Sequence, residues 1–316
     1  MSKYLIINAD DFGVNKSVNE AIVELLDNKC ISSTSLMPNT NYYDDVASWS
    51  KNRKDVGVHL TFVNDDTLIK HRSLSKEKML EDENGYLYED VSKFRTKCSN
   101  DKVIKEVKLQ IKKMMDDGIN ISHVDSHRYA IQPTVNPGLF IRLCNVCNKY
   151  GKLPLRWARN GGYFAGQEIR NLCDSDRAAK FFSAIGDLYS IPMPDYVFIF
   201  PYRNKFISYN SKKEAFLELL KNLPDGISEV HIHPSIESDE IKKINCTWKE
   251  RICEYRLMQD VEVINFINDK NIEMISYSDI SKFSNKTNKC KALYSIFYYG
   301  GKYLLKKLKM YFSIKI

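Results

Sequence analysis

Histidine and aspartate crowd into four short segments of this chain: Asn8-Ala9-Asp10-Asp11-Phe12-Gly13, Gly57-Val58-His59-Leu60-Thr61, His123-Val124-Asp125-Ser126-His127 and His231-Ile232-His233-Pro234. Five of the six histidines lie there, and only His71 stands apart. Two imidazoles and a carboxylate are a common ligand set for a catalytic divalent metal, with positions left for water and substrate. A second carboxylate beside them can act as a base, and a further histidine as an acid. A single strand histidine is more often a hydrogen-bonded core residue, and Asp-Asp after a strand often only caps a helix. Four such segments in one chain point instead to a metal-dependent hydrolase.

Each segment follows or ends an apolar run of strand length. Residues 4–8, 31–36, 56–62, 119–125, 153–157, 196–200, 229–233 and 272–276 read as strands. In residues 56–62, Val56, Val58, Leu60 and Phe62 share one face, and Gly57, His59 and Thr61 the other. If residues 123–127 stay extended, His123, Asp125 and His127 share a side. Helical spacing lies between the strands. Ser17-x-x-Glu20 matches a capping box ahead of Val18, Ala21, Ile22, Leu25 and Leu26. Residues 102–116 form a helix stopped by Gly118, and residues 215–220 and 261–267 supply later ones. A long polar insertion covers about residues 64–99. The alternation predicts an α/β fold with a parallel sheet, a TIM-barrel-like (β/α) barrel or a distorted variant. Strand ends of a barrel converge on one face, so the four segments would meet there.

The chain has 316 residues, 43% hydrophobic and 28% charged, a composition that excludes a disordered or fibrous protein. Its net charge of +7 is not spread evenly. Nine lysines and no acid fall between Lys282 and the end; subtracting them leaves −2 for the body. Nucleic-acid binding by the body is therefore not expected. Cys144-x-x-Cys147 lies in an amphipathic run without a second such pair, so both cysteines belong to a core rather than to zinc. The absence of a cysteine framework suits a reducing compartment. With no apolar leader before Tyr4 and no 20-residue apolar stretch, the expected location is cytoplasmic, peripheral at the inner membrane face if the tail binds lipid.

The four segments, in order and spacing, resemble the YdjC-like carbohydrate deacetylases, the family of the chitooligosaccharide deacetylase. Ser73-Leu74, Asn84-Gly85, Arg251 and Glu254 are similar as well. The resemblance covers residues 3–281 and implies a TIM-barrel-like domain over residues 1–281, removing the N-acetyl group from an acetamido sugar. It implies that Asp11, His59 and His127 ligate magnesium or zinc. Asp10 would be the general base and His233 the general acid for the leaving amine. Arg156 aligns with an arginine that contacts substrate or orients the base. His123 and Asp125 are read as supports that orient the ligands, and His231 as core. The family also tends towards homodimers. Where many members carry further histidines after His127, this chain has Tyr129 and Ile131, and Ser235 replaces a usual glycine. These departures bear on whether acetylated chitooligosaccharide is the sugar taken; only the C-terminal tail raises a lipid-linked one.

Residues 282–316 lie outside the resemblance. Leu304, Leu305, Leu308, Tyr311 and Phe312 share one helical face, and Lys302, Lys306, Lys307 and Lys309 lie mostly off it. Such a basic amphipathic segment, with Tyr294 and Phe297–Tyr299 upstream, suits peripheral membrane contact through residues 292–312 or docking on the barrel or a second subunit. Two functional alternatives stand beside the deacetylase. One is a glycoside hydrolase, for which adjacent Asp10 and Asp11 are poor geometry. The other is a non-catalytic glycan-binding or membrane-associated protein.

Overall fold

The computed structural model describes residues 2–65, 69–162, 164–165, 169–171, 173, 175–199, 208–244, 246–270, 272–284 and 288–313. Side chains are described for all of these except 164–165, 169–171, 244 and 302–313. Among the described residues nine strands form one sheet. They are β1 (Lys3–Phe12), β2 (Ser33–Leu36), β3 (Val56–Leu60), β4 (Val124–Ser126), β5 (Phe164–Ala165), β6 (Ile169–Asn171), β7 (Tyr196–Ile199), β8 (Gly226–Ile232) and β9 (Ile272–Met274). The helices are α1 (Lys16–Asp27), α2 (Tyr43–Ser50), α3 (Val91–Lys97), α4 (Asn100–Asp116), α5 (Pro137–Lys149), α6 (Asp176–Leu188), α7 (Tyr209–Lys221), α8 (Asp239–Ile244), α9 (Trp248–Met258), α10 (Val261–Asp269), α11 (Ile280–Phe283) and α12 (Lys289–Ser313).

The strand order is β4-β3-β2-β1-β8-β7-β6-β5, with β9 also paired to β1. Pairing from β4 round to β7 is parallel, and only the β5–β6–β7 corner is antiparallel. Residues 154–156 bridge the gap between β4 and β7. The Val124 N–H donates to Pro154 O (2.8 Å), and the Arg156 N–H to Val124 O (3.0 Å). The Leu155 N–H then donates to Pro192 O at 2.9 Å, and the Asp195 N–H to Ile227 O at 2.8 Å. The result is the expected barrel-like α/β ring, irregular on one side.

The ring has two interiors. Leu5, Ile7, Ala9, Val56, Val58 and Leu60 face outward into the main core, packed under the helices. The residues that alternate with them turn inward. Ile6 joins Ile227, Ile275, Tyr277 and Ile280 in a separate apolar plug at the N-terminal end of the ring. Above the plug the inner positions are polar and buried: Asn8, Asp10, Ser35, His59, His123, Asp125, Arg156, Glu229 and His231. Register stacks them in layers, with Ile6 beside Glu229, Asn8 beside His231 and His59 beside Asp125.

Several local expectations change in the structure. The cap of α1 is Asn15, whose side chain accepts from the Val18 N–H at 2.9 Å, rather than Ser17, whose hydroxyl meets that of Ser238 at 2.6 Å. The expected strand at residues 119–125 is confined to Val124–Ser126, and the one at 153–157 to a single bridge at Leu155, because Pro154 has no N–H to give to a ladder. The chain is not extended to His127: a 3-10 turn begins there, with Arg128 at φ 48°. Cys144 and Cys147 are buried on α5, one turn apart, and burial pushes both thiols up. No described helix is long and apolar enough to cross a membrane. The backbone of α12 is helical through Ser313, while the face expected on residues 302–312 lies outside the described side chains.

Candidate metal and acid–base centre

Asp10 and Asp11 close β1 at the C-terminal rim, and the backbone makes them diverge. Asp11 has φ 66°, a left-handed conformation that costs a non-glycine residue about 1 kcal/mol or more and persists only where surroundings enforce it. Each carboxylate then meets its own arginine. Arg156 donates from Nη1 to Asp10 Oδ2 and from Nη2 to Asp10 Oδ1, both at 2.7 Å. Arg251, on α9, donates from Nη2 to Asp11 Oδ2 at 2.7 Å.

The other oxygen of Asp11 points into an imidazole pair. Its Oδ1 lies 2.9 Å from His127 Nδ1 and 3.4 Å from His59 Nε2. Asp11, His59 and His127 each turn one ligand atom to a common point, all within 4.8 Å of one another. The far nitrogens are held by other carboxylates. His59 Nδ1 lies 2.6 Å from Asp125 Oδ1, and His127 Nε2 lies 3.3 Å from Asp65 Oδ1. Hydrogens on those far nitrogens leave the near ones with lone pairs facing Asp11, the tautomers that metal ligation requires. The donor set therefore fits a divalent cation.

The electrostatics agree. Burial alone would keep both imidazoles neutral, but Asp125 and Asp10 outweigh it at His59, raising it to about 10. Asp65 and Asp11 do the same at His127, raising it to about 9. Negative charge is concentrated where a proton or a cation would sit, and the two compete for the same lone pairs. Burial also pushes the acids up, and here the cations win. Arg156 holds Asp10 at about 2, and Arg251 with His127 holds Asp11 well below the carboxylate range.

Arg156 serves more than Asp10. Its Nη2 also lies 2.8 Å from Asp125 Oδ2, and its Nε donates to Glu229 Oε1 at 2.7 Å. One guanidinium thus faces three carboxylates. Glu229 is the one left short of positive charge: burial dominates and pushes it up to about 7, despite the Tyr277 hydroxyl that donates to it. Arg156 is buried and holds both oxygens of Asp10.

His233 follows β8. Its backbone N–H donates to Glu254 Oε2 at 2.6 Å, and its ring Nε2 lies 3.9 Å from Asp10 Oδ2. Glu254 is itself fixed by the buried Lys212, which also holds Glu250. Burial lowers the His233 imidazole below its ordinary range, and at 24% exposure its ring still reaches solvent. His123 is fully buried. Its ring stacks on Tyr277 at 3.9 Å between centroids and its Nε2 lies 3.6 Å from Asp125 Oδ2. His231, read as core, is buried with burial lowering it to about 3, and its Nε2 contacts the Tyr129 hydroxyl. Tyr129 thus enters the ring on the side of β8.

Asp10, Asp11, His59, His123, Asp125, His127, Arg156 and His233 all fall in or directly behind this centre. Three that share it carried little local signal. Asp65 lies in the polar insertion. Arg251 and Glu254 lie one turn apart on α9, far from Asp11 and Asp10 in sequence, with only their resemblance to family positions to mark them.

A family model described as YdjC-like protein matches residues 4–269. A carbohydrate deacetylase from Thermoanaerobacter pseudethanolicus is 30% identical over 278 residues, covering 87% of this chain and 98% of that protein. A carbohydrate deacetylase from Geobacillus stearothermophilus is 23% identical, covering 89% and 100%. Among solved structures, an Enterococcus faecalis protein assigned to cellobiose-phosphate cleavage superposes with a TM-score of 0.69. It is 26% identical and covers 88% of this chain and 99% of its own.

Proposed function

We propose that this chain, which belongs to the YdjC-like protein family, is a carbohydrate deacetylase that hydrolyses the N-acetyl group of an acetamido sugar with the help of a divalent cation. The observation that carries this is the convergence of Asp11, His59 and His127 beside an ionised Asp10 and a solvent-reaching His233.

Asp11, His59 and His127 would hold the cation. Two imidazoles and one carboxylate suit zinc better than magnesium, which favours oxygen ligands throughout. A cation there supplies an acidified water and a polarised acyl oxygen. Asp10 accepts the proton of the attacking water. Held ionised by Arg156, it is always in its accepting form. Its weak basicity matches only a water acidified in that way, so the base and the cation belong to one mechanism. His233, 3.9 Å from Asp10 Oδ2 and kept neutral by burial, would take up the proton that Asp10 accepts and pass it to the departing amine. Asp125 and Asp65 fix the ligand rings, and His123 buttresses Asp125.

The rival glycosidic cleavage gains little from this site. Asp10 and Asp11 are neighbours, each bound to an arginine, rather than two carboxylates facing each other across a substrate bond roughly 5–10 Å apart. The sugar, its chain length and any lipid linkage belong to the same test. Purified protein is assayed for acetate and for glycosidic products on a panel of free and lipid-linked N-acetylated sugars. Zinc and magnesium contents are measured alongside, with chelator and Asp10→Asn as controls. Acetate that requires both the cation and Asp10 is the expected result. Chelator-resistant glycosidic cleavage, or protein that binds no divalent cation, would overturn the proposal.

A further inference from the structure

Helix α12 lies beyond the residues that the family model matches, and it packs along α6 by one face only. Ala292 is buried, Ile296 packs against the main core, and Gly300 lies against the Phe181 ring, where an added Cβ would come within 2.8 Å. Another face is bare. Phe297 is 79% exposed, Tyr294 70%, Leu293 47% and Tyr298 45%. At 100° per residue these four span an arc of about 140° that adjoins the docked positions without overlapping them. Four large side chains this exposed in one arc mark an interaction surface.

The sequence extends this arc. Leu304, Leu305, Leu308, Tyr311 and Phe312 repeat it at the same helical period along a backbone that remains helical. The 25 residues of α12 measure about 37 Å. Lysines precede the exposed stretch at 289 and 291 and return beyond it at 302, 306, 307 and 309, and no acid occurs from residue 282 onward.

We propose that this face of α12 docks on an anionic lipid bilayer, with the helix lying in the plane of the interface. A bilayer supplies apolar depth and negative charge continuously over that length, without requiring a matching groove. Phenylalanine and leucine enter the acyl boundary, tyrosine rings sit at headgroup depth, and lysine stems reach back to the phosphates. A second copy on the same face fits poorly, because it would bring two lysine rows together with no acid to offset them. The proposal is independent of the deacetylase reading, since its test reads no catalysis.

The test is cosedimentation of the full chain with vesicles of phosphatidylcholine alone or mixed with phosphatidylglycerol. The expected result is binding to the anionic vesicles at least ~10-fold tighter than to the neutral ones, weakening as salt rises. Tyr294→Asp with Phe297→Asp should reduce that binding by ~10-fold or more. Because both side chains are exposed, the thermal midpoint should not move, which separates lost docking from lost folding. Equal partitioning on both vesicle types, or unchanged binding by the double variant, would overturn the proposal. So would a dimer, seen by light scattering, that the double variant splits while vesicles bind neither protein; the face would then belong to a second copy.

Discussion

Glu229→Gln should remove a pH-dependent weakness from the barrel interior. Glu229 is fully buried between Arg156 and Tyr277, and Arg156 is already shared with Asp10 and Asp125. Burial therefore prevails, and the carboxyl keeps its proton up to about 7 instead of the ordinary 4.5. In the unfolded chain it loses that proton near 4.5. Between the two values the folded protein binds more protons, so its stability falls as pH rises. At about 1.4 kcal/mol per pH unit the loss amounts to about 3 kcal/mol, complete by about pH 8. Glutamine cannot ionise, yet its carbonyl can accept from Arg156 Nε and its amide can donate to the Tyr277 oxygen. The measurement is urea unfolding of both metal-free proteins from about pH 4 to pH 8. The variant should gain about 3 kcal/mol on the wild type across that range. A difference that stays constant, or moves in the wild type's favour as pH rises, would show that Arg156 keeps Glu229 ionised and would refute the charge count.

Asp125→Asn should weaken divalent-cation affinity by about 10–100-fold, read by chelator competition, because the His59 ring loses the carboxylate that fixes its tautomer. Affinity within twofold of the wild type would show that Ser35, 3.1 Å from the same nitrogen, suffices. Gly57→Ala should cost about 1–3 kcal/mol in unfolding free energy, because its Cβ would fall 2.3 Å from the His123 ring, which is clamped between β3 and Tyr277. An unchanged midpoint would mean that this ring can move aside.

Much of the centre was legible because barrel strands deliver their end residues to one place. Period two in residues 56–62 correctly separated the outward Val56, Val58 and Leu60 from the inward Gly57 and His59. The four His/Asp segments could then be assigned to one rim from their positions alone. Tertiary choices were not legible. Leu153–Trp157 has strand composition, but Pro154 denies it a full ladder. His127 reaches the cation point through a turn, with Arg128 and Tyr129 both at positive φ, that no periodicity announces. The antiparallel β5–β6 corner was not legible, since a short irregular hairpin leaves only a weak alternation to read. Arg251 and Asp65 approach Asp11 and His127 over separations at which sequence carries no spacing rule.

The adjacency of Asp10 and Asp11 carries a consequence for how one strand end performs two jobs. Two carboxylates turned into one buried site repel, and one of the two would hold its proton unless each meets its own cation. Here the left-handed turn at Asp11 sends them to different cations, Arg156 for Asp10 and Arg251 for Asp11. Both stay ionised, but their remaining capacity differs. Asp11 keeps Oδ1 for the imidazole cluster, while both oxygens of Asp10 are already hydrogen-bonded and Oδ2 also faces His233. A cation drawn to Asp11, His59 and His127 therefore meets one carboxylate with an oxygen to give it and another held back by its arginine. The two arginines, one from the first turn of α9 and one from the β4–β7 bridge, would on the proposed mechanism divide the pair into a ligand and a proton acceptor. On this account the strain at residue 11 is what keeps both charges at the rim without letting them become equivalent.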